Sequence, residues 1–174
     1  EREANAHTLS QDALMSAQIE ILQRQSRNPQ ARQKLRQRLE SVRIRNRFAS
    51  VVLFDASMQP LIALGQSDAA DAVTRELSRT ALPGSMTRSS LYLSAEGRPS
   101  IQWVIPIASE QGTTVTPKAY IALWANASDF IYPVLQTWPT ASPTGETLLV
   151  RREGTEIVYL NDLRHRKGTA LTLK

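Results

Sequence analysis

Hydrophobic residues recur at helical spacing near the start of the chain. Between residues 3 and 27 an apolar position returns every three or four residues, which predicts an amphipathic helix. The apolar stripe is narrow and rich in alanine, and it consists of Leu9, Ala13, Leu14, Ala17, Ile21 and Leu22. Such a stripe suits packing against another helix, including a second copy of this chain. Asn28 and Pro29 interrupt the pattern and predict the cap and first residue of a second helix, from about 29 to 43.

From residue 48 onwards the hydrophobic pattern becomes that of short strands. The run 48–54 (FASVVLF) is rich in β-branched and aromatic residues and predicts a buried strand. Turn-forming residues occupy 55–60, and 61–64 predicts a second strand. Five later segments also predict strands, at 88–94, 100–107, 118–125, 146–151 and 156–160.

Two further helices are expected between these strands. The first begins at Ser67 or Asp68 and ends near Leu82, and its expected inner stripe is Ala69, Ala72, Val73, Leu77 and Leu82. The second is short and covers 128–135, with Asn126 or Ser128 as its cap. Two prolines, one glycine and three Ser/Thr residues make 138–145 typical of a linker.

The order of these elements predicts the fold class. Neighbouring strands are joined by short turns rather than by crossover helices, which favours an α+β fold with an antiparallel sheet. We expect a five-stranded sheet flanked by helices. The predicted divisions are the N-terminal helices at 1–47, a sheet domain at 48–135, and a linker with a strand pair at 136–174.

The positive charge of the chain is concentrated at one end. The 174 residues have a net charge of +5 and a pI of about 10. Residues 1–47 contain ten Lys/Arg and five Asp/Glu, whereas 48–174 contain eleven of each. The basic series from Arg32 to Arg47 includes no aromatic residue that would stack on bases. A solvated helix face is the favoured interpretation, and attraction to an anionic membrane surface or to nucleic acid are the alternatives.

Residues that most catalytic chemistry needs are scarce. The chain has no cysteine and only two histidines, His7 and His165, far apart in the sequence. This excludes disulfides and thiolate metal sites and disfavours histidine metal centres and Ser–His–Asp hydrolases. Asp68 and Asp71 lie three residues apart, but carboxylates at a helix start usually complement the helix dipole. We therefore expect no enzymatic activity, no metal and no cofactor, and a small hydrolase is the least favoured function.

Alternation along the predicted strands indicates a binding surface instead. One face of the meander is apolar and contains Trp103 and Ile105. The other face mixes aromatic and polar side chains, as small-molecule pockets do, and its candidate residues are Arg88, Tyr92, Gln102, Tyr120, Trp124 and Asn126. Coverage by a helix alone would require the same pattern, so both interpretations stay open.

The succession of elements over residues 1–135 resembles a known family. A long helix, a helix opened by Asn-Pro, a hairpin (VVLFDASMQPLIALG), one helix and a three-stranded meander resemble the PAS-like extracytoplasmic modules called PDC or Cache domains. Such modules belong to bacterial transmembrane histidine kinases, diguanylate cyclases and chemoreceptors. The segments at 130–139, 145–152 and 160–167 resemble the connection to a second module in larger sensors. Either the chain includes the start of such a module or its tail folds back on the first one.

The resemblance implies a function and a location. The chain would be the periplasmic sensing part of a membrane-anchored receptor, without enzymatic activity itself, and would form a homodimer through its N-terminal helix. It would bind a small molecule rather than nucleic acid. A cytoplasmic PAS-like regulatory module and a nucleic-acid-binding protein with a basic helix are the alternatives.

The resemblance also implies a place for the ligand. The pocket of PAS-like sensors lies between the sheet and its connecting segments, so Tyr92, Gln102, Tyr120 and Trp124 would form its walls. Arg88 would pair with a ligand carboxylate. Just past the last meander strand, Asn126 or Asp129 would supply a further polar contact.

Overall fold

The computed structural model describes residues 13–25, 28–65, 70–82, 84–108, 116–137 and 145–174. The chain forms two compact units. Unit 1 comprises Glu1–Ser89 and Gln102–Ala125, and unit 2 comprises Ser90–Ile101 and Asn126–Lys174. The short segment 90–101 therefore belongs with the C-terminal strands, whereas the sequence suggested one sheet domain over 48–135. The expectation that 136–174 opens a second module stays a prediction.

Two helices begin unit 1, α1 (Ala13–Arg24) and α2 (Pro29–Arg45). The predicted break between them is confirmed, because the Asn28 side chain accepts a hydrogen bond from the Ala31 amide at 3.0 Å and Pro29 is the first helical residue. The part of the predicted first helix that includes Leu9 lies outside the described residues. None of the helices in the described ranges has both the length and the hydropathy of a bilayer-spanning segment.

The predicted apolar stripe of α1 was wrong except at Leu22. Its buried residues are Met15, Ile19 and Leu22, whereas Ala13 and Ala17 are exposed. Leu14 is 71% exposed and Ile21 38% exposed. Two residues of offset rotate a helix by about 200°, so the buried side is nearly opposite to the predicted one. Long Met and Ile side chains remove more apolar area from water than alanines do, and packing therefore selects them.

An antiparallel sheet forms the centre of unit 1, and the predicted α+β fold is confirmed. Its strands are β1 (Ser50–Asp55), β2 (Pro60–Gly65), β3 (Thr87–Arg88), β4 (Tyr92–Leu93), β5 (Pro99–Ala108) and β6 (Pro117–Asn126). The strand order is β2-β1-β6-β5-β3, and β4 also pairs with the unit 2 end of β5. Every pairing with a described register is antiparallel.

The hairpin between β1 and β2 follows from local chemistry. The Asp55 carboxylate accepts hydrogen bonds from the Ser57 amide at 2.8 Å and the Gln59 amide at 2.9 Å, as expected for an Asp-led turn. Gly65 ends β2 with φ +98°, and a Cβ there would lie 2.1 Å from the Ala49 carbonyl oxygen. Glycine is therefore the residue that lets β2 finish against the start of β1.

The strand expected at 88–94 is interrupted. The Ser89 hydroxyl accepts a hydrogen bond from the Gln102 amide at 3.0 Å, and the Ser89 amide donates to the Gln102 carbonyl at 2.9 Å. A side-chain oxygen here takes the place of a backbone carbonyl in the ladder, so regular pairing stops. Only β3 and β4 remain as two short pieces on either side.

Helix α3 (Ala72–Thr80) differs from the predicted helix in its cap and in its inner face. Asp71 is the cap, and its carboxylate accepts a hydrogen bond from the Thr74 amide at 2.6 Å. Ser67, Asp68 and Ala69 lie outside the described residues. Leu77 of the predicted stripe packs against the sheet, but the buried residues of the helix are Thr74 and Ser78. Ala72 is exposed, and Leu82, beyond the end of the helix, is 69% exposed. Polar residues facing the sheet were not expected from an apolar stripe.

Different helices cover the two faces of the unit 1 sheet. Strand registers place Val51, Leu53, Ile121 and Leu123 on one face, and α2 packs against β1 and β2 there. On this face Phe48, just after α2, meets Trp103 edge-on with ring centroids 5.8 Å apart. We call it the α1/α2 face. The opposite face, called the α3 face, consists of Val52, Phe54, Val104, Ala122 and Trp124.

Unit 2 contains a 3₁₀ turn (Ala127–Asp129), α4 (Ile131–Thr137), β7 (Val150–Glu153) and β8 (Glu156–Tyr159). The strand expected at 146–151 begins later, because the buried Asn161 side chain accepts from the Leu149 amide at 2.6 Å and donates to the Thr147 carbonyl at 3.3 Å. Within the same unit, the Arg151 guanidinium donates to the Leu91 carbonyl at 2.9 Å. The strand pair thus shares its unit with part of the meander.

Candidate functional site

The α3 face is a buried apolar surface with a helix lying over it. Val52, Phe54, Val104, Ala122 and Trp124 form one cluster with Ala70, which precedes α3. The partly buried side chains packed against this cluster are Met58, Ala63, Leu77 and Tyr120. Leu77 lies on α3 and Ala70 lies just before it. Helix α3 and the residues before it therefore cover the apolar surface that the strands form.

A chain of polar side chains crosses this surface. Gln102 is fully buried on β5, and its Nε2 donates a hydrogen bond to Thr74 Oγ1. Thr74 Oγ1 in turn donates to Asp71 Oδ1 at 2.5 Å, and the same carboxylate oxygen caps α3. Burying an amide and a hydroxyl is costly unless they are hydrogen-bonded, so the position of α3 on the sheet depends on these partners.

Three predicted site residues lie on the α3 face. Gln102 and Trp124 are buried there, and Tyr120 is half-buried at the edge of the cluster. Asp71 and Thr74 were not among the predicted residues. The sequence could have indicated Asp71 as a helix cap, because aspartate is a preferred residue at that position. No feature of the neighbouring sequence indicates that Gln102 contacts this cap.

The predicted placement of Arg88 was wrong. Arg88 pairs in register with Trp103, and Thr87 pairs with Val104. Cross-strand partners share a face, so Arg88 extends from the side opposite to Val104 and Trp124 and is exposed there. The prediction assumed unbroken alternation from 88 to 94, which the interruption at Ser89 removes.

The remaining predicted residues belong to unit 2. Tyr92 is half-buried and pairs in register with Ser100. The Asn126 amide donates to the Asp129 carboxylate at 3.4 Å, and the Ser128 hydroxyl donates to it at 3.2 Å. These short-range contacts form an exposed polar group just after β6. A ligand-contacting role for these residues stays a prediction.

One ionisable side chain of unit 2 is held in its neutral form. Burial is the main cause that raises the pKa of Tyr132 to about 12, and the negative charge of Asp162 contributes to the same rise. Its hydroxyl donates to the Leu160 carbonyl at 2.6 Å, so Tyr132 is a structural link between α4 and the segment after β8. It holds a proton too tightly to act as a base near neutral pH.

The chemistry available on the α3 face is that of binding. Apolar walls and a few fixed hydrogen-bonding groups are the usual composition of small-molecule sites. Within the described ranges, no group of three or more His, Asp or Glu side chains is arranged to hold a metal ion. The polar groups that meet there include the Gln102 amide, the Thr74 hydroxyl and the Asp71 carboxylate, which are hydrogen-bonded to one another.

Two solved structures have similar folds. The extracellular domain of a protein described as a histidine kinase, vpHK1S-Z8, superposes with a TM-score of 0.58 at 13% identity, over 76% of this chain and 52% of that one. The chain shares the fold of that extracellular domain. A domain of a sensory box/GGDEF family protein from Vibrio parahaemolyticus gives a TM-score of 0.52 at 13% identity, over 71% and 51% of the two chains.

The sequence itself has no recognisable relatives in two other comparisons. No family model matches it, and no curated protein matches it. The chain spans about half the length of these two solved chains. The PAS-like sensor fold that the sequence resembled is therefore supported by three-dimensional similarity.

Proposed function

We propose that this chain is an extracytoplasmic sensing domain of a bacterial membrane receptor whose output is a histidine kinase or a diguanylate cyclase. The observation that carries the proposal is the α3 face, where a buried Gln102–Thr74–Asp71 hydrogen-bond chain lies beside an aromatic wall. The fold shared with extracellular sensor domains supports the location outside the cytoplasmic membrane. The domain itself is proposed to be non-enzymatic.

The ligand is proposed to be a small organic molecule held between α3 and the sheet. Tyr120 and Trp124 would supply the aromatic wall, and Gln102 would supply the directed hydrogen bonds. A polar ligand that competes for the Thr74 hydroxyl would change how α3 sits on the sheet. Arg88 is not part of this proposal, because its register places it on the other face.

Signal transmission is proposed to use α1 as a dimer contact. One side of α1 is buried through Met15, Ile19 and Leu22, yet Leu14 and Ile21 remain exposed on another side. Two copies that pack through these leucine and isoleucine side chains would bury this apolar area. A ligand then shifts the balance between two dimer arrangements only by its different affinity for each of them.

The ligand proposal is tested by a thermal-shift screen with amino acids and organic acids. A compound that binds the native state raises the unfolding midpoint by mass action. We expect Tyr120→Ala to abolish that rise, whereas Tyr159→Ala in β8 leaves it unchanged. A rise that survives Tyr120→Ala would place the ligand elsewhere, and no rise with any compound would count against a metabolite sensor.

The dimer proposal is tested by cysteine cross-linking, which is clean because the chain has no cysteine. We expect Leu14→Cys to form a disulfide-linked dimer under mild oxidation at high protein concentration. Ser41→Cys, exposed on α2, serves as the control and should remain monomeric. Equal cross-linking of both variants would indicate random collision rather than an α1 interface.

A further inference from the structure

Helix α2 concentrates positive charge on a surface that its own packing keeps fixed. It contains six Lys/Arg residues and one Glu, so its net charge of +5 equals that of the whole chain. Its buried residues, Ala31, Leu35 and Leu39, occupy one side and attach the helix to β1 and β2. The cationic side chains are therefore held on the outside of a rigid element.

Nearby carboxylates neutralise little of this charge. Glu40 pairs with Arg43 on the same helix at 2.6 Å. Glu20, the acidic residue of α1, pairs with Lys118 at 2.6 Å. Lys34, Arg36 and Arg45 are exposed, and none of the ion pairs formed among the described residues involves them. These three extend over about 16 Å of helix, at 1.5 Å of rise for each residue. At about 100° per residue, Arg36 lies on one flank of the exposed side and Lys34 and Arg45 lie on the other.

The uncharged side chains of α2 indicate which kind of anionic partner the helix suits. No aromatic residue lies on α2, so it lacks the stacking groups with which single-strand binders hold bases. Ile44, however, is 63% exposed among the basic residues. An aliphatic side chain beside cations suits the boundary between lipid headgroups and acyl chains, where apolar side chains are buried and basic ones meet phosphates.

We propose that α2 is a contact surface for the anionic phospholipids of a bilayer. Guanidinium groups bind phosphate oxygens with paired donors, and the remaining field of the helix attracts a negatively charged surface within a Debye length. The charge and exposure of α2 carry this inference, so it is independent of any ligand on the α3 face. Contact with the bilayer would hold unit 1 against the membrane.

Vesicle co-sedimentation at low ionic strength tests the proposal with the whole chain. The probes are vesicles of phosphatidylglycerol and phosphatidylcholine, and vesicles of phosphatidylcholine alone. We expect binding to the former only, lost at high salt. The triple variant Lys34→Gln/Arg36→Gln/Arg45→Gln should bind the anionic vesicles on the order of 100-fold more weakly, because each basic residue at such a surface contributes about fivefold.

The matched control removes one lysine and two arginines elsewhere. Arg75→Gln/Arg166→Gln/Lys167→Gln changes the net charge equally at exposed positions outside α2 and should bind as the unsubstituted chain does. Ile44→Ser should weaken vesicle binding a few-fold. Absence of vesicle binding, equal loss in both triple variants, or tighter binding to DNA than to vesicles at equal phosphate concentration would each overturn the proposal.

Discussion

The two faces of the unit 1 sheet are both buried, yet their side chains differ in kind. On the α1/α2 face the strands contribute aliphatic side chains such as Val51, Leu53 and Ile121, with exposures of 0%. The buried polar side chains described in unit 1 are Ser50, Thr74, Ser78 and Gln102, and all of them lie on the α3 face or on α3 itself. Both faces exclude water, but the hydrogen-bonded polar side chains belong to the α3 face, whereas the α1/α2 face contains, among the described residues, one buried donor without a partner, Trp103 Nε1.

This difference indicates that the two faces of the sheet contribute to the structure in different ways. Non-directional apolar packing stabilises a structure without specifying a ligand. A buried polar chain adds directional contacts whose partners must all be present. In the proposed function the α1/α2 face is the support and the α3 face is the part that responds, and the following substitutions test that contrast.

The largest effect is expected in the core of the α1/α2 face. Leu39 is fully buried on α2, and Leu39→Ala should lower the free energy of unfolding by about 2–5 kcal/mol, through lost burial and the cavity left behind. Ile44→Ala on the same helix removes an exposed side chain and should change it by less than about 0.5 kcal/mol. Urea unfolding measures both. A loss of unfolding free energy for Leu39→Ala as small as that for Ile44→Ala would mean that α2 does not support the sheet.

A smaller but more specific effect is expected in the polar chain of the α3 face. Thr74→Val removes the acceptor that Gln102 Nε2 uses, and should cost about 1–3 kcal/mol of unfolding free energy. Adding Gln102→Leu should recover part of this loss, because both partners are then apolar. A double-mutant cycle measures the coupling. Strictly additive losses would show that the two side chains do not act together.

The cap of α3 should contribute about 1 kcal/mol. Asp71→Ala removes the acceptor of the Thr74 amide and hydroxyl, whereas Asp71→Asn keeps an oxygen at that position. We expect the alanine variant to lower the thermal midpoint and the asparagine variant to stay near the original value. If asparagine is as harmful as alanine, the charge of Asp71 rather than its capping is what matters.

The smallest effect is expected at the ion pair between α1 and the start of β6 and depends on pH. A hydrogen bond from Lys118, together with its positive charge, lowers the pKa of Glu20 below 4.5. A carboxylate with a lowered pKa stabilises the folded state fully above pH 4.5 and loses that contribution as pH falls through the lowered value. The thermal midpoint of Glu20→Gln should therefore approach that of the original chain in acid. Glu76→Gln, paired with Arg79 on α3, is the exposed control.

Prediction from sequence succeeded where neighbouring residues decide the outcome. The α+β class, the cap at Asn28 and the Asp55 turn were all recognised, because capping and turn chemistry act within four residues. Gln102, Tyr120 and Trp124 were also placed on one face correctly, since alternation holds along unbroken strands. The predicted placement of Arg88 was wrong because the Ser89 hydroxyl interrupts the strand and stops that alternation.

The sequence by itself determined the order of the elements, the antiparallel character of the sheet and the concentration of positive charge on α2. Only the tertiary structure decided which side of α1 is buried, and it alone joined Gln102 to Thr74, which lies 28 positions away in the chain. The physical reason is the range of the interactions. Backbone geometry and charge are local properties, whereas burial and the pairing of buried polar groups depend on which distant surfaces meet.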